Sequence, residues 1–294
     1  RALAVSHMLG HVLMEEQDTK INLLDRLLQH ARSTADFSIY YGEGRDSYDT
    51  TDVRGRTVHE ALFNPKNGVF RAPSTQQGYS PFSTWTRGLA WAICGFAEQL
   101  EFLRDKVTEA DAETLQAHGG REAIEAFYRK AAEATCDFFI QHTPTDGITY
   151  WDTGAPGLVH LGDYLDRPAE PYNDHEPVDS SASVIAAQGL IRLGQYLQQQ
   201  GDAGDAPRRY MQAGLTTLNS LLDEPYLSTD DAHQGLILHS IYHRPRGWDH
   251  IPEGRKIPCH ESSMWGDYHM RELALYVQRL ANDETTYHFY GPNE

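Results

Sequence analysis

Ser83-Thr84-Trp85-Thr86-Arg87-Gly88-Leu89-Ala90-Trp91 leads into residues 86–104, where Leu89, Ile93, Phe96, Leu100 and Leu103 recur at helical spacing. Five apolar positions on a three-to-four residue period predict a helix with a broad buried face. The same pattern extends outward along the chain. Residues 20–33 carry Ile21, Leu24, Leu27 and Leu28, and residues 120–142 carry Ile124, Phe127, Tyr128, Ala131, Thr135 and Phe138. Residues 180–199 carry Val184, Ile185, Ala187, Leu190, Ile191 and Leu197, with Asp179 or Ser180 as N-cap. Residues 206–223 and 264–282 complete the series. Long alternating strands are scarce, and only Gly147-Ile-Thr-Tyr-Trp151 reads as a short one. Between the helices lie long stretches, 64–85, 143–178 and 224–262, rich in Gly, Pro, Trp, Tyr and His. Long loops in a compact domain are usually functional or disordered, and aromatic content argues for order. Paired helices with aromatic loops gathered at one end predict an all-α fold, an α/α toroid formed by residues 1–294 as one domain.

Composition narrows the function. The 294 residues hold 25 Lys+Arg against 42 Asp+Glu, a formal charge of −17, which argues against a protein held mainly by nucleic-acid phosphates. Apolar residues make up 40 %, enough for a sizeable core. No apolar run approaches the ~18 residues that suggest a membrane span. Cys94, Cys136 and Cys259 are far apart and form no CxxC pair, so neither a disulfide framework nor a zinc site is indicated. His260 and Glu261 lack a second His at helical spacing, so no metal and no cofactor is expected. There is no GxSxG elbow, no P-loop and no dinucleotide fingerprint.

Several residues read in two ways. Arg87 stands between Trp85 and Trp91. Flat indole faces suit the C–H faces of sugar rings, and a guanidinium forks onto a carboxylate; equally, the stretch is a helix N-terminus with two core tryptophans. Asp18, in Glu15-Glu-Gln-Asp18-Thr-Lys-Ile-Asn22, reads on composition as an N-cap or first-turn acid. His59 reads as structural or solvated as readily as functional. Asp179 reads as a helix cap. The acids Asp163, Asp166, Glu170, Asp174 and Glu176 read as a solvated acidic loop, with a sugar subsite as the other possibility.

Taken in order, these segments resemble glycoside hydrolase family 88, the unsaturated glucuronyl hydrolases. The matching blocks are Asp18-Thr-Lys-Ile-Asn22-Leu, His59-Glu-Ala-Leu-Phe-Asn-Pro, Gln77-Gly78, Ser83-Thr-Trp85-Thr-Arg87-Gly with Ala90-Trp91, Tyr150-Trp151-Asp152, Asp179-Ser-Ser-Ala182 and Trp265-Gly-Asp267-Tyr268. The resemblance implies an (α/α)6 barrel acting on lyase products that end in a Δ4,5-unsaturated uronic acid. It implies hydration of the C4=C5 vinyl ether rather than carboxylate attack at C1. Asp18 would be the general acid/base. His59, Gln77 and Arg87 would hold the sugar, and Trp85 and Trp91 would form stacking walls.

Two departures stand out. The family carries a second essential aspartate, preceded by His, well upstream of the acid/base; none of the seventeen residues before Asp18 supplies it. The expectation is a chain lacking the first helices of the barrel, monomeric or homodimeric. Gln76 stands where the family often has His before Gln-Gly. The alternatives are an unsaturated rhamnogalacturonyl hydrolase of the family 105 type, with the same hydration chemistry, and a non-catalytic sugar-binding barrel. The expected partner in each case is an unsaturated uronic-acid oligosaccharide or a related sugar, not nucleic acid or membrane.

Overall fold

A computed structural model describes residues 1–14 and 20–292. Among the described residues eight α-helices account for most of the order: α1 (Ala2–Met8), α2 (Leu23–Ser38), α3 (Thr86–Asp105), α4 (Ala112–Ala117), α5 (Arg121–Gln141), α6 (Ser180–Gln199), α7 (Ala206–Leu221) and α8 (Met264–Ala281). The all-α expectation holds. The six segments read from periodicity correspond to α2, α3, α5, α6, α7 and α8, while the short α1 and α4 carry too few turns for a period to show. Strands occur as small antiparallel hairpins: β1 (Leu13–Met14) with β2 (Lys20–Ile21), β3 (Glu60–Phe63) with β4 (Phe70–Ser74), and β5 (Tyr287–His288) with β6 (Gly291–Pro292). The stretch 147–151 forms one isolated bridge, Tyr150 to Val178, rather than a strand.

Helix α6 lies at the centre, packed against α3, α7 and α8. Its residues are buried almost all round, from Ser180 through Leu197, as expected of a helix with neighbours on several sides. Close approach depends on small residues. A Cβ placed on Gly189 would sit 2.6 Å from the backbone N of Cys94 on α3, and one on Gly214 of α7 would sit 2.9 Å from the Ala187 carbonyl. Leu89, Ala90, Ile93, Ala97 and Leu100 of α3 fill the interface from the other side, all buried. Helix α5 adds Ile124, Tyr128, Ala131 and Cys136. Cys94 and Cys136 are thus core residues.

Charged groups penetrate this core in pairs. Arg192 on α6 is 1 % exposed, donates to Glu101 at 3.0 Å and lies 4.3 Å from the centre of the Tyr276 ring. A guanidinium buried to this degree persists only when paired. None of the helices among the described residues is long and apolar enough to cross a membrane.

The N-terminal ends of α3, α6 and α8 meet, and the long loops knit them together. The Thr86 N–H donates to the Trp151 carbonyl at 3.1 Å, and the Ser180 N–H to the His239 carbonyl at 3.0 Å. Trp265 Nε1 on α8 donates to Ser181 Oγ on α6 at 3.0 Å. Asp179 caps α6 by accepting from the N–H groups of Ser181 and Ala182, as its position in the sequence suggested. Helix α2 is capped by Asn22, which accepts from Leu24 N and Asp25 N.

Candidate functional site

A cleft of about 640 Å³ opens between α2 and α3, lined also by Arg1, the loop at 57–59 and the turn at Gln77. His59, Gln77, Trp85 and Trp91, four of the five binding residues expected from the sequence, line it. They arrive from three places in the chain. His59 immediately precedes β3. Gln77 follows the end of β4. Trp85 and Trp91 stand on either side of the first turn of α3. The β3–β4 hairpin, with Glu60 opposite Ser74, is what brings His59 and Gln77 together; the sequence read 64–85 as loop and so did not show it.

The His59 ring packs 4.7 Å from the Trp85 ring. Its Nδ1 accepts from the Gln76 N–H at 3.1 Å and the Gln77 N–H at 3.3 Å. Burial pushes the His59 imidazole below its usual value; Glu60 opposes this, and His243 and Arg87 add to it. Neutral His59 is therefore the form present at neutral pH. The Gln77 amide donates to the Tyr242 carbonyl at 3.4 Å. Trp91 is 40 % exposed, with its edge against His269 at 5.2 Å between ring centres. Trp85, in contrast, is only 7 % exposed. One indole thus offers a broad face to a ligand while the other chiefly forms wall.

Arg87 departs from the expectation of a sugar-facing cation. It is 3 % exposed and does not line the cleft. Its guanidinium lies between two indoles, 4.9 Å from the centre of Trp85 and 4.8 Å from that of Trp265. It donates to the Tyr242 carbonyl at 2.7 Å, to the Ile241 carbonyl, and at 3.5 Å to Asp179 and to Ser181. The physical reason is local. The Ile241 and Tyr242 carbonyls and the buried Asp179 carboxylate all need donors, and a planar fork with five N–H groups supplies them from one side chain. Burial pushes the fully enclosed Asp179 carboxyl up, while Arg87 and the Ser181 hydroxyl pull it back. The pair fastens the 239–242 segment to α3 and α6.

Asp152, also without exposure, holds the next piece of wall. It accepts from the Tyr79 N–H at 2.8 Å and the Gly154 N–H at 2.9 Å. Burial raises its carboxyl, and these donors oppose the shift. At the far side of the cleft Arg1 meets Glu98, Glu272 at 3.0 Å and Tyr268 Oη at 2.9 Å. Sequence reasoning missed this cluster, because residues so far apart in the chain give no local signal. Asp18 lies outside the described residues. His260 and Glu261 sit on the 224–262 loop, and among the described residues no group of three or more His, Cys, Asp or Glu is arranged to hold a metal ion.

No protein-family model matches the chain. An unsaturated glucuronyl hydrolase of Bacillus sp. strain GL1 is 32 % identical over 231 residues, covering 77 % of this chain and 48 % of that protein. The crystal structure of the unsaturated glucuronyl hydrolase from Bacillus sp. GL1, described as responsible for the degradation of glycosaminoglycan, aligns with a TM-score of 0.56 at 27 % identity, covering 85 % of this chain and 50 % of that one. A UGL variant with dGlcA-Glc-Rha-Glc aligns with a TM-score of 0.58 at 27 % identity, covering 87 % and 53 % respectively. The chain spans about half the length of the curated relatives it matches. The shared fold is the helical toroid expected from helix pairing. In sequence and in fold, the chain is a relative of the unsaturated glucuronyl hydrolases.

Proposed function

We propose that this protein is a glycoside hydrolase of the unsaturated glucuronyl type, with residues 1–294 forming one α/α-barrel domain. Its substrate is an oligosaccharide whose non-reducing end is a Δ4,5-unsaturated uronic acid. The observation that carries this reading is the convergence of His59, Gln77, Trp85 and Trp91 on one cleft, in a chain whose relatives are named for that chemistry.

The reaction begins with proton transfer from the Asp18 carboxyl to C4 of the vinyl ether, leaving an oxocarbenium-like centre at C5. Water adds at C5 and returns a proton to Asp18. The resulting hemiketal opens the ring and releases the next sugar. One carboxyl serves both steps if it is protonated at the start and ionised in between. Trp91 offers the stacking face and Gln77 a hydrogen-bonding amide. Arg87 contributes through the wall it holds rather than by reaching the sugar.

Unsaturated uronyl disaccharides absorb in the ultraviolet through their conjugated carboxylate, and hydration removes the band. The expected result is loss of absorbance with a form that also carries the family's upstream aspartate, little loss with residues 1–294 alone, and a loss of rate of about 10²-fold or more on Asp18→Asn in the active form, the usual worth of a general acid/base. Equal rates with and without that substitution would remove Asp18 from the role. No turnover across glucuronyl and rhamnogalacturonyl substrates, with sugar binding retained, would overturn the hydrolase reading in favour of a binding protein. Turnover of the rhamnogalacturonyl substrate alone would move the activity to the family 105 type.

A further inference from the structure

The β3–β4 hairpin ends in the turn Thr75-Gln76-Gln77-Gly78, and that turn closes over one side of the His59 ring. His59 Nδ1 faces the Gln76 N–H at 3.1 Å, the Gln77 N–H at 3.3 Å and Thr75 Oγ1 at 3.4 Å. A backbone amide donates and cannot accept, so Nδ1 must carry a lone pair and no proton. Thr75 Oγ1 in turn accepts from the Gly78 N–H at 2.8 Å, which leaves its own hydroxyl proton to point at Nδ1. The turn is built tightly enough to hold this geometry. A Cβ on Gly78 would lie 2.8 Å from Thr75 Oγ1, 3.0 Å from Trp85 Cβ and 3.1 Å from Asp152 Oδ2. On its ring face the imidazole is backed by Trp85. The charged and titratable groups acting on it are Glu60, His243 and Arg87.

We propose that Thr75 is a positioning residue which, with the Gln76 and Gln77 amides, fixes His59 as the neutral Nε2–H tautomer, so that His59 meets a ligand in the cleft solely as a hydrogen-bond donor. The ring nitrogen that bears the proton is set by what the other nitrogen accepts. The matching ligand group is an acceptor oxygen, the hydroxyl or carboxylate oxygen of a sugar. His59 thereby binds and orients, and proton abstraction is left to a carboxylate. This consequence for the sugar rests on the proposed function; the tautomer itself does not.

The test is a two-bond 15N–1H spectrum of the imidazoles at neutral pH for wild type, Thr75→Val and Thr75→Ser, with His59→Gln to assign the signals. Disaccharide kinetics run alongside, on the form that also carries the upstream aspartate. The expected wild-type pattern is a single Nε2–H tautomer for His59. Thr75→Val takes away the acceptor of the Gly78 N–H, so the turn no longer holds the Gln76 and Gln77 amides against Nδ1; the pattern shifts toward a mixture of tautomers and KM rises about fivefold with kcat unchanged, the signature of one neutral hydrogen bond lost from uniform binding. Thr75→Ser restores both. A wild-type His59 that is Nδ1–H or doubly protonated overturns the proposal, and so does a Thr75→Val spectrum identical to wild type. Absence of turnover in every protein strikes the hydrolase reading, while the spectra still decide the role of Thr75.

Discussion

The interface between α3 and α6 and the loop cluster above it solve the same problem, holding chain segments together, by different physics. Between α3 and α6 the work is done by apolar burial and by glycines that let backbones touch, as at Gly189 against Cys94. In the loop cluster apolar side chains such as Ile148, Trp151, Val178 and Ile237 are buried as well, but the irregular backbone between them is tied by single carboxylates. Asp49 accepts from the N–H groups of Gly42, Glu43 and Arg45 at 2.8, 3.2 and 2.9 Å. Asp267 accepts from Leu236 N and Ile237 N at 2.9 and 3.0 Å. Asp249 accepts from the N–H groups of Tyr242 and His243. Glu176 accepts from the Trp151 Nε1–H and the Gly157 N–H, both at 2.8 Å. Irregular backbone must satisfy its donors somewhere, and a carboxylate with two oxygens satisfies several at once. Part of the acidic charge of this chain is therefore scaffolding for loops rather than a solvated surface.

That contrast can be broken at chosen points. The largest effect is expected at the junction of the two regions, where Arg87 and Asp179 meet. Arg87→Met leaves a buried carboxylate without its counter-charge and the Ile241 and Tyr242 carbonyls without this donor, and should cost about 3–5 kcal/mol by chemical denaturation. Arg87→Met with Asp179→Asn should recover part of that loss. A double variant no better than the single one would show that the pair is not the fastening it resembles.

Next comes acid. Burial, with Arg1 and Arg192 adding and Glu272 opposing, pulls His269 down from 6.5 to about 4. The folded state keeps His269 neutral while the unfolded state takes up a proton as pH drops below 6.5. Stability contributed by the neutral ring is present above 6.5 and is lost progressively between 6.5 and about 4, up to roughly 3 kcal/mol at 1.36 kcal/mol per unit. The melting temperature should fall through that window, and less steeply in His269→Asn, whose amide can replace the donor to Gln188 Oε1, which His269 Nδ1 reaches at 2.6 Å. Equal slopes would assign the acid sensitivity elsewhere, His239 being buried and depressed to about 4 as well.

A wedge in the helix interface should act next. Gly189→Ala presses a methyl onto the Cys94 backbone and should cost about 2–3 kcal/mol, because backbone on α3 cannot give way as a side-chain tip would. Glu176→Gln removes the charge that two loop donors share and should cost about 1–2 kcal/mol, read as a lower denaturation midpoint. The neighbouring exposed pair Lys256–Asp174, with its nitrogen and oxygen 2.6 Å apart, is the control: Asp174→Asn should change stability by less than about 1 kcal/mol. If Glu176→Gln were as mild as Asp174→Asn, the scaffolding role of loop carboxylates would fall.

The same contrast explains what was legible in advance. Apolar residues at helical spacing marked α2, α3, α5, α6, α7 and α8, and Asp179 was readable as a cap, because period and capping are properties of neighbouring residues. His59, Gln77, Trp85 and Trp91 were legible as a set through resemblance, and the structure gathers them in one cleft. The role of Arg87 was not legible. Whether an arginine between tryptophans faces a ligand or the protein depends on Ile241, Tyr242 and Asp179, more than ninety residues away. Nor was the division among the acids of 163–176, where Asp163, Asp166, Glu170 and Asp174 are exposed as expected while Glu176 is buried.

By itself the sequence determined the helices, their buried faces, the acidic balance and the family resemblance, since each is written in local spacing or composition. Tertiary structure alone decided that β3 and β4 pair to bring His59 beside Gln77, that Arg87 fastens the wall of the cleft, and that Glu176 belongs to the core of a loop. Those outcomes depend on which donors meet which acceptors once distant segments are packed together, and a buried polar group takes whichever partner the fold brings within reach.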